Sequence, residues 1–468
     1  MPVPTGDARL VTSHLLTAMR NEIDRVLKPE LDSAYAKVSA EWLCRAIDYL
    51  LLTEHHDPAL EKARAELLAG LPAVPVTEDY LPDISDAKHA IPATAASVRS
   101  TGKATPRQTL HAIASLTGRA IASENAFIAQ QRKEAEQAQV GIDVPVTKES
   151  LDSYFDSNEF AGLRTQSVAQ LTGGYSKDTF LVETLAADGS RRDFAIRRDL
   201  PFGPVEGSAV DEMPYLQRLG ALGIPAPRPV KAERDSRHLG RPFLITERIP
   251  GVDAAGALAA DTEAGRVGSR QLAQILARLH SVDPRDVGLT VNEDACAQVA
   301  AYIDYWHQRW LRYRCLDSDI MEAAFAWLAA NLPRKVPRSV IVHGDYRAGN
   351  ALWHQGQITG MVDWEFIHAG DAAEDVEYAK LFVPPGVTAD EFMADYLAAG
   401  GVDYDSTNAD FYEVFRSVRN IVSIDTSWYG FLHGIYPSLK PAFSGYHLRR
   451  LVLGMLADGL QKVTAPGR

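Results

Sequence analysis

The polar residues best suited to catalysis lie in two short segments of the chain, residues 343–350 (HGDYRAGN) and residues 361–365 (MVDWE). Each segment includes or follows a short apolar run that is typical of a buried strand. Asp345 and Asn350 lie five positions apart in the first segment, and Asp363 lies at the end of the second apolar run. The spacing therefore places three oxygen-bearing side chains where two strands end.

These three side chains suggest phosphoryl transfer from a nucleotide to a hydroxyl group. Asp345 would orient the acceptor hydroxyl and take its proton, while Asn350 and Asp363 would hold the Mg²⁺ that bridges the nucleotide phosphates. Amide and carboxylate oxygens suit a hard cation such as Mg²⁺. Neither a cysteine nor a histidine cluster is present to indicate zinc.

HGDYRAGN resembles the catalytic loop H-x-D-x-x-x-x-N of the aminoglycoside phosphotransferases and choline-kinase-like enzymes, and MVDWE is similar to their metal loop. The longer sequence HGDYRAGN…VDWEFIHAGDAAED most resembles the branch of this family that is found fused to certain acyl-CoA dehydrogenases. The resemblance covers about residues 150 to 450. It implies an α+β, bilobal protein-kinase-like fold with a small β-rich N-lobe and a helical C-lobe, and ATP as the nucleotide.

The resemblance also assigns a phosphate-covering hairpin to the LTGGYS segment and the strand that follows it. Gly173, Gly174 and Ser176 would lie near the nucleotide phosphates, because glycines let the backbone approach them and offer N–H donors. A turn at Asp188 and Gly189 would return the chain to the second strand of the hairpin.

The FAIR segment, residues 194–197, stands where related kinases have V-A-I-K. The resemblance therefore gives Arg197 the role of the phosphate-pairing lysine. Its guanidinium would offer a planar fork of N–H donors in place of the point charge of a lysine ammonium group. Glu212 matches the glutamate that pairs with this cation, although the sequence leaves open whether Arg197 or the adjacent Arg198 contacts phosphate. Glu247 lies where the family joins its two lobes and where backbone groups hold the adenine edge.

Several further residues match supporting positions of the family. Asp371 and Asp375 are expected to brace the catalytic loop through backbone hydrogen bonds, with a solvent-facing Asp375 as the alternative. His343 is expected to orient the loop, whereas Arg347 either contacts phosphate or substrate or is exposed. For His280, at the end of a predicted helix, a capping or core role is favoured over catalysis.

Three regions are predicted along the chain. Residues 1–140 are predicted to form an accessory all-helical extension, because apolar residues recur there at three- and four-residue spacing. Residues 150–250 are assigned to the N-lobe, and residues 251–468 to the helical C-lobe with both loops and the acceptor pocket. The extension carries no catalytic motif. It is a candidate for homo-oligomer contacts or for covering the substrate, with packing alone as the alternative.

Composition limits the classes of partner. A formal charge of −13 over 468 residues argues against a nucleic-acid binder. Cys44, Cys296 and Cys315 are odd in number and widely spaced, which implies no disulfide framework. The first residues lack the pattern of a secretory signal, and no apolar run reaches membrane-spanning length. We therefore expect a cytoplasmic protein without a nucleic-acid or membrane partner.

The C-terminal segment favours a neutral or anionic acceptor, such as an alcohol, phenol, hydroxy acid or hydroxyacyl-CoA. A pocket for a polycationic aminoglycoside should be acidic. Residues 411–468 instead contain seven basic residues against three acidic ones. The alternative is that several of these cations lie on solvated helix faces, above all Arg449 and Arg450.

Taken together, the sequence predicts an ATP- and Mg²⁺-dependent small-molecule phosphotransferase with a hydroxyl group as acceptor. An antibiotic phosphotransferase of the aminoglycoside type is one alternative. The other is a pseudokinase that binds nucleotide and scaffolds a partner, but this role would not require Asp345, Asn350 and Asp363 together.

Overall fold

The computed structural model describes residues 146–171, 176–315, 318–432, 441 and 444–465. The predicted helical extension of residues 1–140 and the glycines Gly173 and Gly174 lie outside these residues. The chain divides into two compact units. The first comprises Val144–Tyr302 and Leu332–Glu413, and the second includes Ile303–Asn331 and Val414–Arg468.

A five-stranded antiparallel sheet opens the first unit, with strand order β1-β2-β3-β5-β4. Its strands are β1 (Leu163–Gln170), β2 (Lys177–Ala186), β3 (Phe194–Asp199), β4 (Pro229–Glu233) and β5 (Phe243–Glu247). The turn between β2 and β3 is the predicted one, and Gly189 adopts the left-handed conformation that it requires, with φ of +83°. The predicted hairpin is therefore confirmed.

Side chains along β3 alternate between the two faces of the sheet, and this places its two arginines on opposite faces. Buried and half-buried residues alternate from Phe194 to Asp199, so Arg197 and Arg198 project from opposite faces of the sheet. Arg198 lies over the Phe180 ring at 5.0 Å and pairs with Asp178 at 3.0 Å. Arg198 is thus part of the packing of the sheet, and Arg197 is the arginine that faces the other side.

Helix α1 (Lys148–Asp156) covers the packed face of the sheet. The contact is largely aromatic: the Tyr154 ring lies 5.2 Å from the Phe243 ring, and the Phe155 ring lies 6.1 Å from the Phe194 ring. Aromatic pairs at such distances add to the free energy gained by burying their surface. This core fixes the sheet, and with it the position of β3.

The rest of the first unit is mainly helical. Its helices are α2 (Met213–Ala221), α3 (Ser236–Leu239), α4 (Ala254–Ala260), α5 (Thr262–Ser281), α8 (Ala372–Ala379) and α9 (Ala389–Ala398). Two small sheets lie among them, formed by β6 (Val252–Asp253), β7 (Val340–Val342), β8 (Ala351–His354), β9 (Gln357–Met361) and β10 (His368–Gly370). Leu272, Leu276 and Leu279 of α5 share one buried core with Ile341 and Met361. Helix α5 therefore supports the two strands that precede the predicted loops.

The described part of the second unit is helical. It contains α7 (Asp319–Ala330), α11 (Arg449–Thr464) and the greater parts of α6 (Ala295–Tyr313) and α10 (Ala409–Leu432). Trp306 and Trp310 of α6 are buried. Within the described ranges, no helix combines the length and the apolar character needed to cross a bilayer.

The alternative of a solvated helix face is wrong for one of the C-terminal cations, Arg449. Arg449 does not lie on a solvated helix face, because its side chain is buried and its Nε donates to Asp425 Oδ1 at 2.5 Å. Asp425 neutralises this charge inside the second unit, so Arg449 does not add to a cationic excess in a pocket. Burial raises the pKa of Asp425, and Arg449 opposes that shift.

Tyr346, in the predicted catalytic loop, links the loop to α5. Its hydroxyl donates a hydrogen bond to the Leu272 carbonyl at 2.7 Å, and the ring is buried. We expect Tyr346→Phe to lower the free energy of unfolding by about 1 kcal/mol, because the bond is lost while the ring remains. Urea denaturation would measure the change, with Tyr215→Phe on α2 as the control. An equal loss in both variants would contradict this prediction.

Candidate active site

The loop after β7 carries the first part of the site. Asn350 Nδ2 donates to the Asp345 carboxylate at 2.6 Å and to the Asp345 carbonyl at 2.9 Å. Because its nitrogen is used in this way, the Asn350 Oδ1 is the atom left to bind a cation. The two residues predicted to act in transfer and in metal binding are therefore in direct contact.

His343 connects this loop to the second one. Its Nδ1 accepts from the Asp345 backbone N–H at 3.3 Å, and its Nε2 donates to the Val362 carbonyl at 3.1 Å. The imidazole is fully buried, and its ring lies 4.5 Å from the Trp364 ring. The predicted orienting role of His343 is confirmed, and its partners show that it also aligns the two loops with each other.

Asp375, at the start of α8, holds the backbone of the catalytic loop. Its carboxylate accepts from the His343 N–H at 2.7 Å and from the Gly344 N–H at 2.9 Å, and it lies 3.5 Å from His280 Nε2. Burial alone would raise the pKa of Asp375, but His280 and these backbone donors hold the pKa below its usual value. The predicted brace is confirmed, and the solvent-facing alternative is wrong.

Asp371 has a different role from the one predicted. It is the N-cap of α8, accepting from the Ala373 N–H at 3.1 Å, and it also accepts from Asn408 Nδ2 at 3.0 Å. A carboxylate satisfies the unpaired N–H groups of a first helical turn, so Asp371 stabilises the helix that carries Asp375. It acts on the catalytic loop only through that helix.

His280 has the predicted core role. Its Nδ1 lies 2.8 Å from the Tyr396 hydroxyl, and the ring is fully buried between Tyr396 and Asp375. Every polar atom of the ring therefore has a structural partner. This environment supports a positioning role for His280 through Asp375 and leaves no open face for a substrate.

The second loop follows β9 and presents Asp363. Asp363 adopts a left-handed backbone conformation with φ of +70°, which is uncommon outside glycine and is tolerated best by Asp and Asn. The Val362 N–H donates to the Asn350 carbonyl at 2.8 Å, and the Trp364 Nε1 donates to the Met361 carbonyl at 2.8 Å. These bonds fix the turn and bring the backbone of Asp363 next to that of Asn350.

Arg197 joins the sheet to this second loop. Its Nη1 donates to Glu212, which ends the 3-10 turn before α2, and its Nη2 donates to Asp363 Oδ1 at 3.1 Å. Burial would lower the pKa of Arg197, but the carboxylates of Glu212, Asp363 and Glu365 outweigh burial and raise it. Arg197 is therefore a permanent cation at the centre of three carboxyl groups.

Glu365 is a site residue that the sequence analysis missed. Its Oε2 lies 3.9 Å from Arg197 Nη2 and is buried without a hydrogen-bond partner among the described residues. Burial raises the pKa of Glu365 to about 8, with Asp363 adding to the shift and Ser176 opposing it. The available signal was the second acidic residue in MVDWE, two positions after Asp363.

The predicted nucleotide residues fall into three groups. The first group belongs to the ion-pair cluster: Arg197 contacts Glu212 and Asp363, and Ser176 interacts with Glu365. The second group, Gly173 and Gly174, lies outside the described residues. The third group is Glu247, at the end of β5. Its carboxylate faces Arg228 at 3.6 Å, and its N–H donates to the Arg228 carbonyl at 2.9 Å. The structure does not bring the Glu247 side chain to the cluster.

The donor set fits a hard divalent cation. Asn350 Oδ1 and the Asp363 carboxylate are the oxygen ligands that Mg²⁺ prefers, and Mg²⁺ commonly takes its remaining ligands from phosphates and water. No group of three or more His, Cys, Asp or Glu residues in the described part of the chain is arranged to hold a metal alone.

We predict that Asp375→Asn destabilises the protein by about 2–4 kcal/mol, because the new amide group turns donors toward a backbone N–H that needs an acceptor. Since the folded pKa of Asp375 is lowered, its contribution is fully present above its usual pKa of 3.8 and is lost as the pH falls through the folded value. Unfolding measured between neutral pH and pH ~3 should show the two proteins converging in acid. Asp403→Asn, at an exposed position, serves as the control, and a difference that persists unchanged in acid would refute the assignment.

Comparison with known proteins identifies the family of this chain. The phosphotransferase enzyme family model matches residues 167–409, which is more than half of the chain. Mouse acyl-CoA dehydrogenase family member 10 is 31% identical over 178 residues, covering 36% of this chain and 16% of that protein. Viomycin phosphotransferase of Streptomyces vinaceus is 25% identical over 234 residues, covering 48% of this chain and 76% of that enzyme.

The fold has a solved counterpart in a candidate aminoglycoside phosphotransferase from Ralstonia eutropha JMP134. The two superpose with a TM-score of 0.50 at 18% identity, covering 68% of this chain and 98% of that one. This likeness confirms the predicted protein-kinase-like fold, with its antiparallel sheet followed by a helical part. On the matched sequence and the fold together, the chain belongs to the phosphotransferase enzyme family.

Proposed function

We propose that this protein is an ATP- and Mg²⁺-dependent phosphotransferase that phosphorylates a hydroxyl group of a small molecule. The observation that carries the proposal is the direct contact between Asp345 and Asn350, in a loop whose backbone is bonded to that of the Asp363 loop. These contacts support a shared site for an acceptor hydroxyl and a metal-bound nucleotide. Membership of the phosphotransferase family supports the reaction class but leaves the acceptor open.

In the proposed reaction, the acceptor hydroxyl binds to the Asp345 carboxylate and transfers its proton there. The acceptor oxygen forms a bond to the γ-phosphorus of ATP, the bond between that phosphorus and the β–γ bridging oxygen breaks, and ADP leaves. Asn350 holds the Asp345 carboxylate in one orientation, because its Nδ2 donates to both the side chain and the carbonyl of Asp345. Most of the rate enhancement would come from this positioning and from charge neutralisation.

Arg197 would contact the α- and β-phosphates. It pairs with both Glu212 and Asp363. With nucleotide bound, Glu212 would keep one side of the guanidinium fork while the other side turns from Asp363 to phosphate oxygens. Asn350 Oδ1 and Asp363 would hold Mg²⁺, which supplies neutralisation of the phosphate charge when bound.

The acceptor is proposed to be neutral or anionic. Arg449 no longer supports this, since Asp425 neutralises it, and Lys440 and Arg468 lie outside the described residues. Support comes instead from Arg347, whose Nε lies 3.3 Å from Asp345 Oδ1, where a cationic acceptor would meet a positive charge. This contact favours the proposal over an aminoglycoside-type acceptor.

The remaining assignments also stay proposals. ATP in preference to GTP and the role of Glu247 near the base follow from family resemblance. The boundaries near residues 140 and 250, and homo-oligomer contacts through residues 1–140, rest on the sequence pattern. A reducing, cytoplasmic location is supported by the thiols of Cys296 and Cys315, which are both free.

The reaction can be tested by mass spectrometry of acceptor panels incubated with Mg·ATP. The panel would include alcohols, phenols, hydroxy acids, hydroxyacyl-CoAs, aminoglycosides and viomycin. We expect one class to gain phosphate, and Asp345→Asn to lower kcat by about a thousandfold because the amide cannot take the hydroxyl proton. Binding of ATP should persist in Asp345→Asn. Turnover of Asp345→Asn near that of the wild type would refute the proposed role, and ATP binding without any transfer would favour the scaffold alternative.

A further inference from the structure

Arg347 lies beside the carboxylate that is proposed to bind the acceptor. Its Nε lies 3.3 Å from Asp345 Oδ1 and 3.4 Å from Asp345 Oδ2. The other two nitrogens of the guanidinium, Nη1 and Nη2, find no hydrogen-bond acceptor among the residues that the structure describes. One edge of Arg347 is therefore used by Asp345, and the fork at the other edge is available.

The contact between Asp345 and Arg347 does not by itself indicate a function. Asp235 and Arg237 have the same spacing and a similar contact, with Nε 3.0 Å and 2.9 Å from the two carboxylate oxygens. Arg237 is 87% exposed, whereas Arg347 is 35% exposed. A local Asp-x-Arg contact thus forms readily on a surface, and only the surroundings of Arg347 can distinguish it.

Two neighbours set Arg347 apart. Its guanidinium carbon lies 6.0 Å from the centre of the Phe382 ring. Its Nη1 occupies the space that a side chain at residue 349 would take, so that a Cβ on Gly349 would collide with it. Gly349 therefore makes room for the guanidinium between Asp345 and Phe382, and the conformation of Arg347 depends on three separate positions.

An apolar surface adjoins the guanidinium. Leu381 and Phe382 belong to the 3-10 turn after α8 and are 61% and 43% exposed, which is high for such side chains. The Phe382 ring packs against Tyr378 at 4.8 Å, so its position is fixed. The Arg347 cation therefore lies beside an exposed aromatic ring, and Leu381 precedes that ring in the same turn.

We propose that Arg347 binds an anionic group of the acceptor, and that the acceptor is a hydroxy acid whose apolar chain lies along Leu381 and Phe382. This inference rests on the proposed function, since it requires the acceptor hydroxyl at Asp345. An anion brought next to the Asp345 carboxylate would be repelled, and Arg347 removes that repulsion because it contacts the carboxylate itself. A neutral acceptor would not need this cation.

Distances set the separation of the two acceptor groups. A hydroxyl binds a carboxylate at about 2.7 Å, and a guanidinium binds a carboxylate at about 2.8 Å. Asp345 and Arg347 are themselves in contact at 3.3 Å. Because Asp345 and Arg347 are neighbours in the site, 2-hydroxy and 3-hydroxy acids, which carry both groups at one end of the chain, are suitable probes.

The test compares acceptors that differ only in charge. 2-Hydroxyoctanoate and 3-hydroxyoctanoate would each be assayed against the corresponding primary amide, with Mg·ATP and with product identified by mass spectrometry. We expect kcat/KM of the wild type to favour the acid by about tenfold to a hundredfold, the usual range for a hydrogen bond to a charged group. Arg347→Met should reduce this ratio to near one, and Arg347→Lys should retain part of it.

Two more variants make the test specific. Gly349→Ala should also lower the acid-to-amide ratio, because the new methyl group displaces the Arg347 fork. Arg237→Met, in the surface pair of the same spacing, should leave the ratio unchanged. If Arg347→Met lowers kcat/KM equally for acid and amide, the residue acts on the transferred phosphoryl group and the inference is overturned.

The inference and the proposed function can fail separately. Phosphorylation of acids and amides at similar rates by the wild type would overturn the role of Arg347 and leave the phosphotransferase assignment in place. Nucleotide binding with no transfer to any acceptor would overturn both.

Discussion

The site depends on one buried ion-pair cluster, in which Arg197 contacts Glu212 and Asp363 with Glu365 close by. Glu212 comes from a different part of the chain than Asp363 and Glu365, and Arg197 is the cation that joins the two parts. Arginine suits this position better than lysine, because its planar fork can bind two carboxylates at once.

The catalytic loop is held by hydrogen bonds whose donor and acceptor residues are almost all buried. Asp375 fixes the backbone at His343 and Gly344, His343 fixes Asp345 to Val362, and Tyr346 fixes the loop to α5. Buried polar groups are costly unless they are satisfied, so each of these bonds restrains the loop to one conformation. A loop held in this way can present Asp345 and Asn350 without rearrangement, which is where phosphoryl transfer gains most of its rate.

Much of this could be predicted from the sequence, because the informative features are local. The strand before His343, the hairpin turn at Gly189, and the roles of His343 and Asp375 follow from short patterns, and the structure confirms them. The sequence left open whether Arg197 or Arg198 contacts phosphate. Alternation along β3 shows which of the two faces Asp363, namely Arg197, once the register is known. Glu365, the capping role of Asp371 and the burial of Arg449 were missed because each depends on a partner that is distant or on packing that no spacing reveals.

The most direct test of the account is the Mg²⁺ dependence of nucleotide binding. Calorimetry would measure the affinity for the non-hydrolysable analogue AMP-PNP, with and without Mg²⁺, in the wild type and in Asp363→Asn. Because Asp363 is proposed to hold the metal with the phosphates, Mg²⁺ should strengthen binding to the wild type by about tenfold or more. Most of this gain should be absent in Asp363→Asn. An Asp363→Asn protein that keeps the full Mg²⁺ effect would contradict the account.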